Sequence, residues 1–154
     1  MIEEKINIRI DKEGNWFYGD AEMFRKDIVS LLAEHIKRDD HGRYFIDFQG
    51  EQAYIEVEDT PYVVTSIERI VDDGKEAILL IMSHGSKDKL DPTTLLMNDD
   101  NVLYCTVKDG LPARFRRQSY YQLAKFIEMG EDGRYFLNLN NKKYYIKCNK
   151  GRCE

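Results

Sequence analysis

Apolar residues recur along this chain at two different periods, and the switches between them mark its elements. Ile6, Ile8 and Ile10 alternate with polar neighbours as a half-buried strand does, and Asp11-Lys12-Glu13-Gly14-Asn15 then supplies turn chemistry. Trp16-Phe17-Tyr18 follows as a short extended piece. Over residues 22–37 the period lengthens: Phe24, Ile28, Leu31, Leu32 and Ile36 fall at helical spacing, with Asp20 as the expected N-cap. Gly42 ends that pattern, and residues 44–48 and 53–57 flank Gln49-Gly50-Glu51-Gln52 as a hairpin. Residues 62–71 and 76–83 frame Asp72-Asp73-Gly74-Lys75 as another hairpin. Residues 84–100 read as an irregular connection with a short strand at 94–97. A strand over 102–107, a helix over 115–128 and a hairpin of 135–139 with 142–147 through Asn140-Asn141 complete the pattern.

The pattern also repeats. Residues 24–55 set against 115–146, a shift of 91 without a gap, match at Phe24, Arg25, Leu32, Ala33, Ile36, Gly42, Arg43, Tyr44, Phe45, Tyr54 and Ile55, eleven positions of 32. A repeated unit of this size is one supersecondary piece that needs a neighbour to cover its apolar face. The expectation is an α+β fold of two related strand-helix-hairpin units with mostly antiparallel sheets, the second augmented by the 62–83 hairpin. Residues 1–61 form the first unit, 62–148 the larger second one, and 149–154 a loose tail. Leu32 and Leu123, Ile36 and Ile127, and Tyr44 and Tyr135 are expected at equivalent buried places.

Composition narrows the class. The 154 residues are 42% hydrophobic and 33% charged, which is globular, and the longest apolar runs fall far short of the roughly 20 residues that span a bilayer. The opening Met1-Ile2-Glu3-Glu4-Lys5 lacks the features of a signal peptide, so a cytoplasmic location and three reduced thiols at Cys105, Cys148 and Cys153 are expected. The net charge of -5 is uneven, because residues 1–100 carry 12 Lys/Arg against 23 Asp/Glu and residues 101–154 carry 11 against 5. The acidic part argues against nucleic-acid binding. The basic last third either attracts the acidic part or receives an anion. No amphipathic membrane helix or lipidation signal is present, so no stable membrane association is expected.

Catalytic signatures are absent: there is no P-loop, Gly-x-Ser-x-Gly elbow, His-Glu-x-x-His or Rossmann glycine pattern. The His35, Asp39, Asp40 and His41 group suggests a metal, but His35 aligns with Phe126, a helical core position, and His41 with Asp132 in a turn. No metal or cofactor is expected. Arg25 and Arg116 each stand near a helix start, where the helix dipole opposes a cation. Either each forms a salt bridge within its unit, Arg25 with Asp20, Glu22 or Glu58, or the arginines, joined by Arg117, bind a carboxylate or phosphate across an interface. Trp16, Phe17 and Tyr18 lie beside one helix start and Tyr120 and Tyr121 at the other, as core lids or as walls of a ligand site. Glu58 and Asp59 form a carboxylate pair without a nucleophile. The candidate ligand site is Trp16, Tyr18, Arg25, Glu58, Asp59, Arg116, Arg117 and Tyr120.

These residues also resemble a family. Gly14-Asn15-Trp16-Phe17-Tyr18, Arg25 before an apolar helix, Asp40-His41-Gly42-Arg43-Tyr44-Phe45, and Ile55-Glu56-Val57-Glu58-Asp59-Thr60-Pro61-Tyr62 look like the opening of the bacterial domain-of-unknown-function family numbered twelve eighty-five. Val107-Lys108-Asp109-Gly110-Leu111 and Tyr120-Tyr121-Gln122-Leu123 are similar to its later segment. The resemblance implies a two-domain fold with internal duplication, the second domain superficially similar to pleckstrin-homology domains. It implies no established enzymatic activity, a binding site at the domain interface and a part in signalling. The functional expectation is a non-catalytic ligand-binding sensor or signalling adaptor that takes a small anionic ligand or acidic peptide between its units. The alternative is a structural subunit that contacts a protein partner and no small ligand. The oligomeric state is not readable from the residues.

Overall fold

The structure is a computed structural model that describes residues 4–148. The expected loose tail at 149–154 lies outside the described residues. The first unit is a six-stranded sheet. Its strands are β1 (Glu4–Ile10), β2 (Trp16–Tyr18), β3 (Ala21–Glu22), β4 (Ile36–Arg38), β5 (Tyr44–Phe48) and β6 (Glu51–Val57), with helix α1 (Lys26–Ala33) between β3 and β4. The spatial order is β3-β2-β1-β6-β5-β4, antiparallel apart from the parallel β1–β6 pair. β1 turns into β2 because Asp11 accepts the amides of Glu13 and Asn15, each at 2.9 Å, and Gly14 takes a φ of +87°.

The second unit opens with the long hairpin β7 (Tyr62–Asp72) and β8 (Lys75–Met82), closed by Asp73 and Gly74 in left-handed conformation. Then come β9 (Lys87–Lys89), a 3-10 turn at Pro92–Thr94, β10 (Leu96–Met97), β11 (Leu103–Thr106), a 3-10 turn at Lys108–Gly110 and β12 (Pro112–Phe115). Helix α2 (Arg117–Ala124) leads to β13 (Ile127–Met129), β14 (Tyr135–Leu139), β15 (Lys142–Tyr145) and β16 (Lys147–Cys148). A seven-stranded sheet runs β16-β10-β11-β12-β7-β8-β9, and β13-β14-β15 form a separate three-stranded sheet. β12–β7 and β10–β16 are parallel. The connection expected to be irregular over 84–100 therefore holds two short strands, β9 and β10.

The repeat extends to register. α1, β4 and β5 have counterparts in α2, β13 and β14 displaced by 91 at both ends. Ile36 pairs with Ile46 and Ile127 with Leu137; Phe48 pairs with Glu51 and Leu139 with Lys142. Gln49-Gly50 and Asn140-Asn141 make the two tight turns with positive φ. Arg43 stacks 4.4 Å over Tyr54, and Arg134 stacks 4.1 Å over Tyr145.

Both helices are shorter than their periodicity predicts. Met23 donates its amide to Trp16, so the sheet persists up to the helix, and Arg25 stands at the N-cap in place of the expected Asp20. At the other end the amide of His35 bonds to Leu32, and Ile36, assigned to the helix by spacing, is a buried residue of β4 paired with Ile46 of β5. Phe115 and Ile127 leave the second helix for the same reason. The equivalent positions also differ in burial: Leu123 is fully buried and Leu32 half-buried, Ile36 is buried and Ile127 half-buried, and Tyr135 is exposed. One continuous core nevertheless spans both units, from Ile8, Ile10, Val29, Ala33 and Ile36 to Ile78, Leu80, Leu103, Phe115, Leu123 and Leu137.

Candidate functional site

The units meet through backbone carbonyls. Arg116 directs its guanidinium at the Glu13 carbonyl, with Nε at 2.8 Å, and Ser83 Oγ donates to the Gly14 carbonyl at 3.3 Å. At the other end of the junction the Tyr62 hydroxyl donates to the Ala33 carbonyl at 2.7 Å, Lys108 Nζ to the Glu34 carbonyl at 3.2 Å, and Arg38 to the Gly110 carbonyl at 3.3 Å. The Ala33 and Glu34 carbonyls belong to the end of α1, where carbonyls lack intrahelical partners, so side chains of the second unit cap the first unit's helix.

Beside these caps lies a cleft of about 150 Å³. Glu34 contributes one wall from the first unit; Tyr62, His84, Ser86, Asp88 and Lys108 are among the residues that line it from the second. His84 and Ser86 stand on either side of Gly85, in the tight turn where the Gly85 amide bonds to Met82 and the Met82 amide to Ser86. That turn brings Ser86 Oγ to 2.6 Å from His84 Nε2. The His84 ring lies 5.3 Å from that of Tyr62. Burial drives the imidazole's pKa down to about 4, helped by Lys108 and opposed by Glu34. Burial, with Asp109, Asp88 and Glu34 nearby, raises that of the Tyr62 phenol. Both side chains are therefore neutral hydrogen-bonding groups at neutral pH.

A second, more open depression of about 460 Å³ is lined by Lys12, Glu58, Asp59, Asn98, Tyr104 and Arg114, together with Asp100 and Val102. Its centre is Asp59, whose Oδ2 accepts from Arg114 at 2.8 Å and from the Tyr104 hydroxyl at 2.7 Å. Burial and the bond to Asp59 push the Tyr104 phenol up to about 12. Glu58 accepts the Lys12 amide at 3.0 Å. The carboxylate pair thus ties the β6–β7 connection to β11 and β12 and to the β1–β2 turn.

The sequence-predicted site is not assembled as one cavity. Trp16 is buried in the core, whereas Tyr18 is exposed. Arg25 forms an exposed pair with Asp27 at 2.8 Å, a partner not among those expected. Arg116 is spent on Glu13, Arg117 is exposed at the first position of α2, and Tyr120 packs half-buried against the core. Glu58 and Asp59 do line a depression, but Asp59 is engaged by Arg114. The sequence reading missed His84 and Ser86, whose signal was a polar pair around Gly85, and Tyr62, which sits next to the Glu58-Asp59-Thr60-Pro61 stretch.

Of His35, Asp39, Asp40 and His41, it is Asp39 that organises the turn after β4. Asp39 accepts the amides of His41 and Arg43, the Arg43 guanidinium and the Tyr54 hydroxyl; although burial works against its charge, these bonds hold its pKa at about 2. His35 is half-buried just beyond α1, its Nδ1 2.8 Å from the Leu31 carbonyl, rather than on a helical core position. Among the described residues no group of three metal-ligating side chains converges. Cys105 is a buried free thiol, whereas Cys148 is disulfide-bonded, which corrects the expectation of three reduced thiols. No helix among the described residues is long and apolar enough to cross a membrane.

Comparison with known proteins adds a family likeness. Residues 2–60 match the model described as "Domain of unknown function (DUF1285), N-terminal domain". No curated protein matches the chain. The chain is similar in structure to a DUF1285 family protein from Silicibacter pomeroyi DSS-3, with a TM-score of 0.79 and 24% identity over 96% of this chain and 82% of that one. It is also similar to a DUF1285 family protein from Shewanella baltica OS155, with a TM-score of 0.68 and 22% identity over 80% of this chain and 94% of that one. At such identities the likeness is one of fold. Residues 2–60 thus match the DUF1285 N-terminal domain, and the chain as a whole has the fold of DUF1285 family proteins.

Proposed function

We propose that this chain is a non-catalytic ligand-binding module of the sensor or adaptor kind, and that it takes a small anionic group in the cleft between its units. The observation that carries this reading is a cleft walled by both units and floored by a buried neutral imidazole. Lys87 and Lys108 supply cations at its rim, and the Ser86 hydroxyl supplies an adaptable hydrogen bond. Glu34 and Asp88 stand among them and repel a polyanion, which favours a small carboxylate or the acidic end of a peptide. A ligand held by Glu34-side and His84-side groups together biases how the units sit, which is what a sensor requires.

A Ser-His nucleophile is the competing use of the same pair, and its chemistry is unfavourable. With a pKa near 4, His84 is a weak base at neutral pH. Among the described residues no carboxylate hydrogen-bonds its other ring nitrogen, so the orienting third group of a triad is missing.

The test is thermal-shift screening of small mono- and dicarboxylates and inorganic phosphate. A binder present at about 100 times its Kd contributes roughly 2.7 kcal/mol, a shift of several degrees for a domain of this size. Lys108→Ala should remove that shift while leaving the fold intact. No shift with any of these probes would favour the structural-subunit alternative.

A further inference from the structure

The two units solve one packing problem differently. In the second unit, β7 covers α2 and its preceding strand. β7 pairs in parallel with β12, setting Tyr62 against Ala113 and Val64 against Phe115. Beyond the strand, the Arg116 amide and the Ser119 hydroxyl both donate to the Val64 carbonyl, at 3.0 and 2.7 Å, and the Gln122 side chain accepts the Ile67 amide at 2.8 Å. Phe115, Ser119 and Gln122 therefore form a ridge that lies against an extended strand, and Phe115 is only 3% exposed.

The counterparts of that ridge, 91 residues earlier, are Phe24, Ile28 and Leu31, all apolar. They are 80%, 39% and 44% exposed. The strand before them, β3, is an edge of its sheet, whereas its counterpart β12 is flanked on both sides. Among the described residues the Arg25 amide, counterpart of the Arg116 amide, has no such acceptor. Three separate features of the first unit, an open strand edge, an open amide and an apolar ridge, are thus the features that β7 closes in the second. An open edge beside an exposed apolar ridge is a site for strand addition. The edge is flanked by Asp20 and Glu22, exposed and without an ion-pair partner among the described residues. Charge complementarity then asks for basic residues on the incoming segment.

We propose that the β3 edge and the Phe24-Ile28-Leu31 ridge receive an extended, β-branched segment of another protein, flanked by basic residues, which pairs parallel to β3 and lies over α1 as β7 lies over α2. This surface is distinct from the ligand cleft and uses none of its residues.

The probe is a fluorescently labelled peptide that copies the covering part of β7, Tyr-Val-Val-Thr-Ser-Ile, with two lysines at each end. Binding is measured by anisotropy and mapped by amide NMR shifts on the full chain. The expected result is saturable binding that perturbs the amides of residues 21–28. An Ile28→Glu/Leu31→Glu variant should bind at least tenfold more weakly, and glutamates in place of the peptide's lysines should also weaken binding. Because both substituted side chains are exposed, the variant should keep the wild-type unfolding midpoint, which separates lost binding from lost fold. Absence of saturation at millimolar peptide, or binding that the double variant leaves unchanged, overturns the proposal. So does concentration-dependent self-association of the wild-type chain that Leu31→Glu abolishes, since the ridge would then serve a second copy of this chain.

Discussion

Gly14 sits where the first unit's turn presses on the second unit's β7–β8 hairpin. A Cβ built there would lie 2.5 Å from Ser83 Oγ and 2.8 Å from Val63 Cβ, at a φ of +87° that L side chains disfavour. Gly14→Ala should therefore cost roughly 2 to 5 kcal/mol, combining left-handed strain with overpacking against buried atoms. Gly50 has a similar φ but nothing within 4 Å of a Cβ, so Gly50→Ala should cost only about 1 to 2 kcal/mol. Denaturant titration of the two variants separates conformation from contact. His84 makes a second residue-scale prediction. Its folded pKa of about 4 lies below the unfolded 6.5, so the unfolded chain binds the extra proton between those values. Its contribution leaves stability full above pH 6.5 and lowers it as pH falls toward 4, by on the order of 3 kcal/mol in all. His84→Gln, which does not charge, should flatten that part of the stability-pH curve.

At the scale of elements, most of the chain was legible because the period-2 and turn signals were local. The β7–β8 hairpin, the tight turns at Gln49-Gly50 and Asn140-Asn141 and the 91-residue repeat all follow from residues close in sequence. The helices were overextended for a physical reason. Phe24, Ile28 and Leu31 keep helical spacing but face outward, while Val29, Leu32 and Ala33 carry the inward face. Ile36 continues the apolar period by coincidence, since its burial comes from pairing with β5. The site was less legible because it depends on which side chains the tertiary packing brings together: Arg116 could not be matched in advance with a carbonyl 103 residues away. Repeat equivalence does not carry energetic equivalence either. Leu123→Ala, at a fully buried place, should cost roughly 2 to 5 kcal/mol, and Leu32→Ala, half-buried, about 1 to 2 kcal/mol. Equal values would show that the helices are buried alike in solution.

For the whole molecule, the shared core predicts one cooperative transition. Trp16, the chain's single tryptophan, reports on the first unit from inside the core, and far-UV circular dichroism reports on both. Their unfolding curves should coincide; a tryptophan transition that precedes the loss of strand signal would mean that the first unit melts alone. The parallel pairings bear on how such a chain is made. β1 and β6 must meet across the whole first unit, Tyr62 finds Ala113 only after β8 to β11 have been laid down, and Leu96 finds Lys147 at the far end of the described chain. On the ribosome, all six strands of the first sheet are present once β6 emerges, but their share of the common core stays uncovered until the second unit follows. The second must wait for β12 and α2, and during that interval the Val64 carbonyl and the apolar β7 stay uncovered on that side.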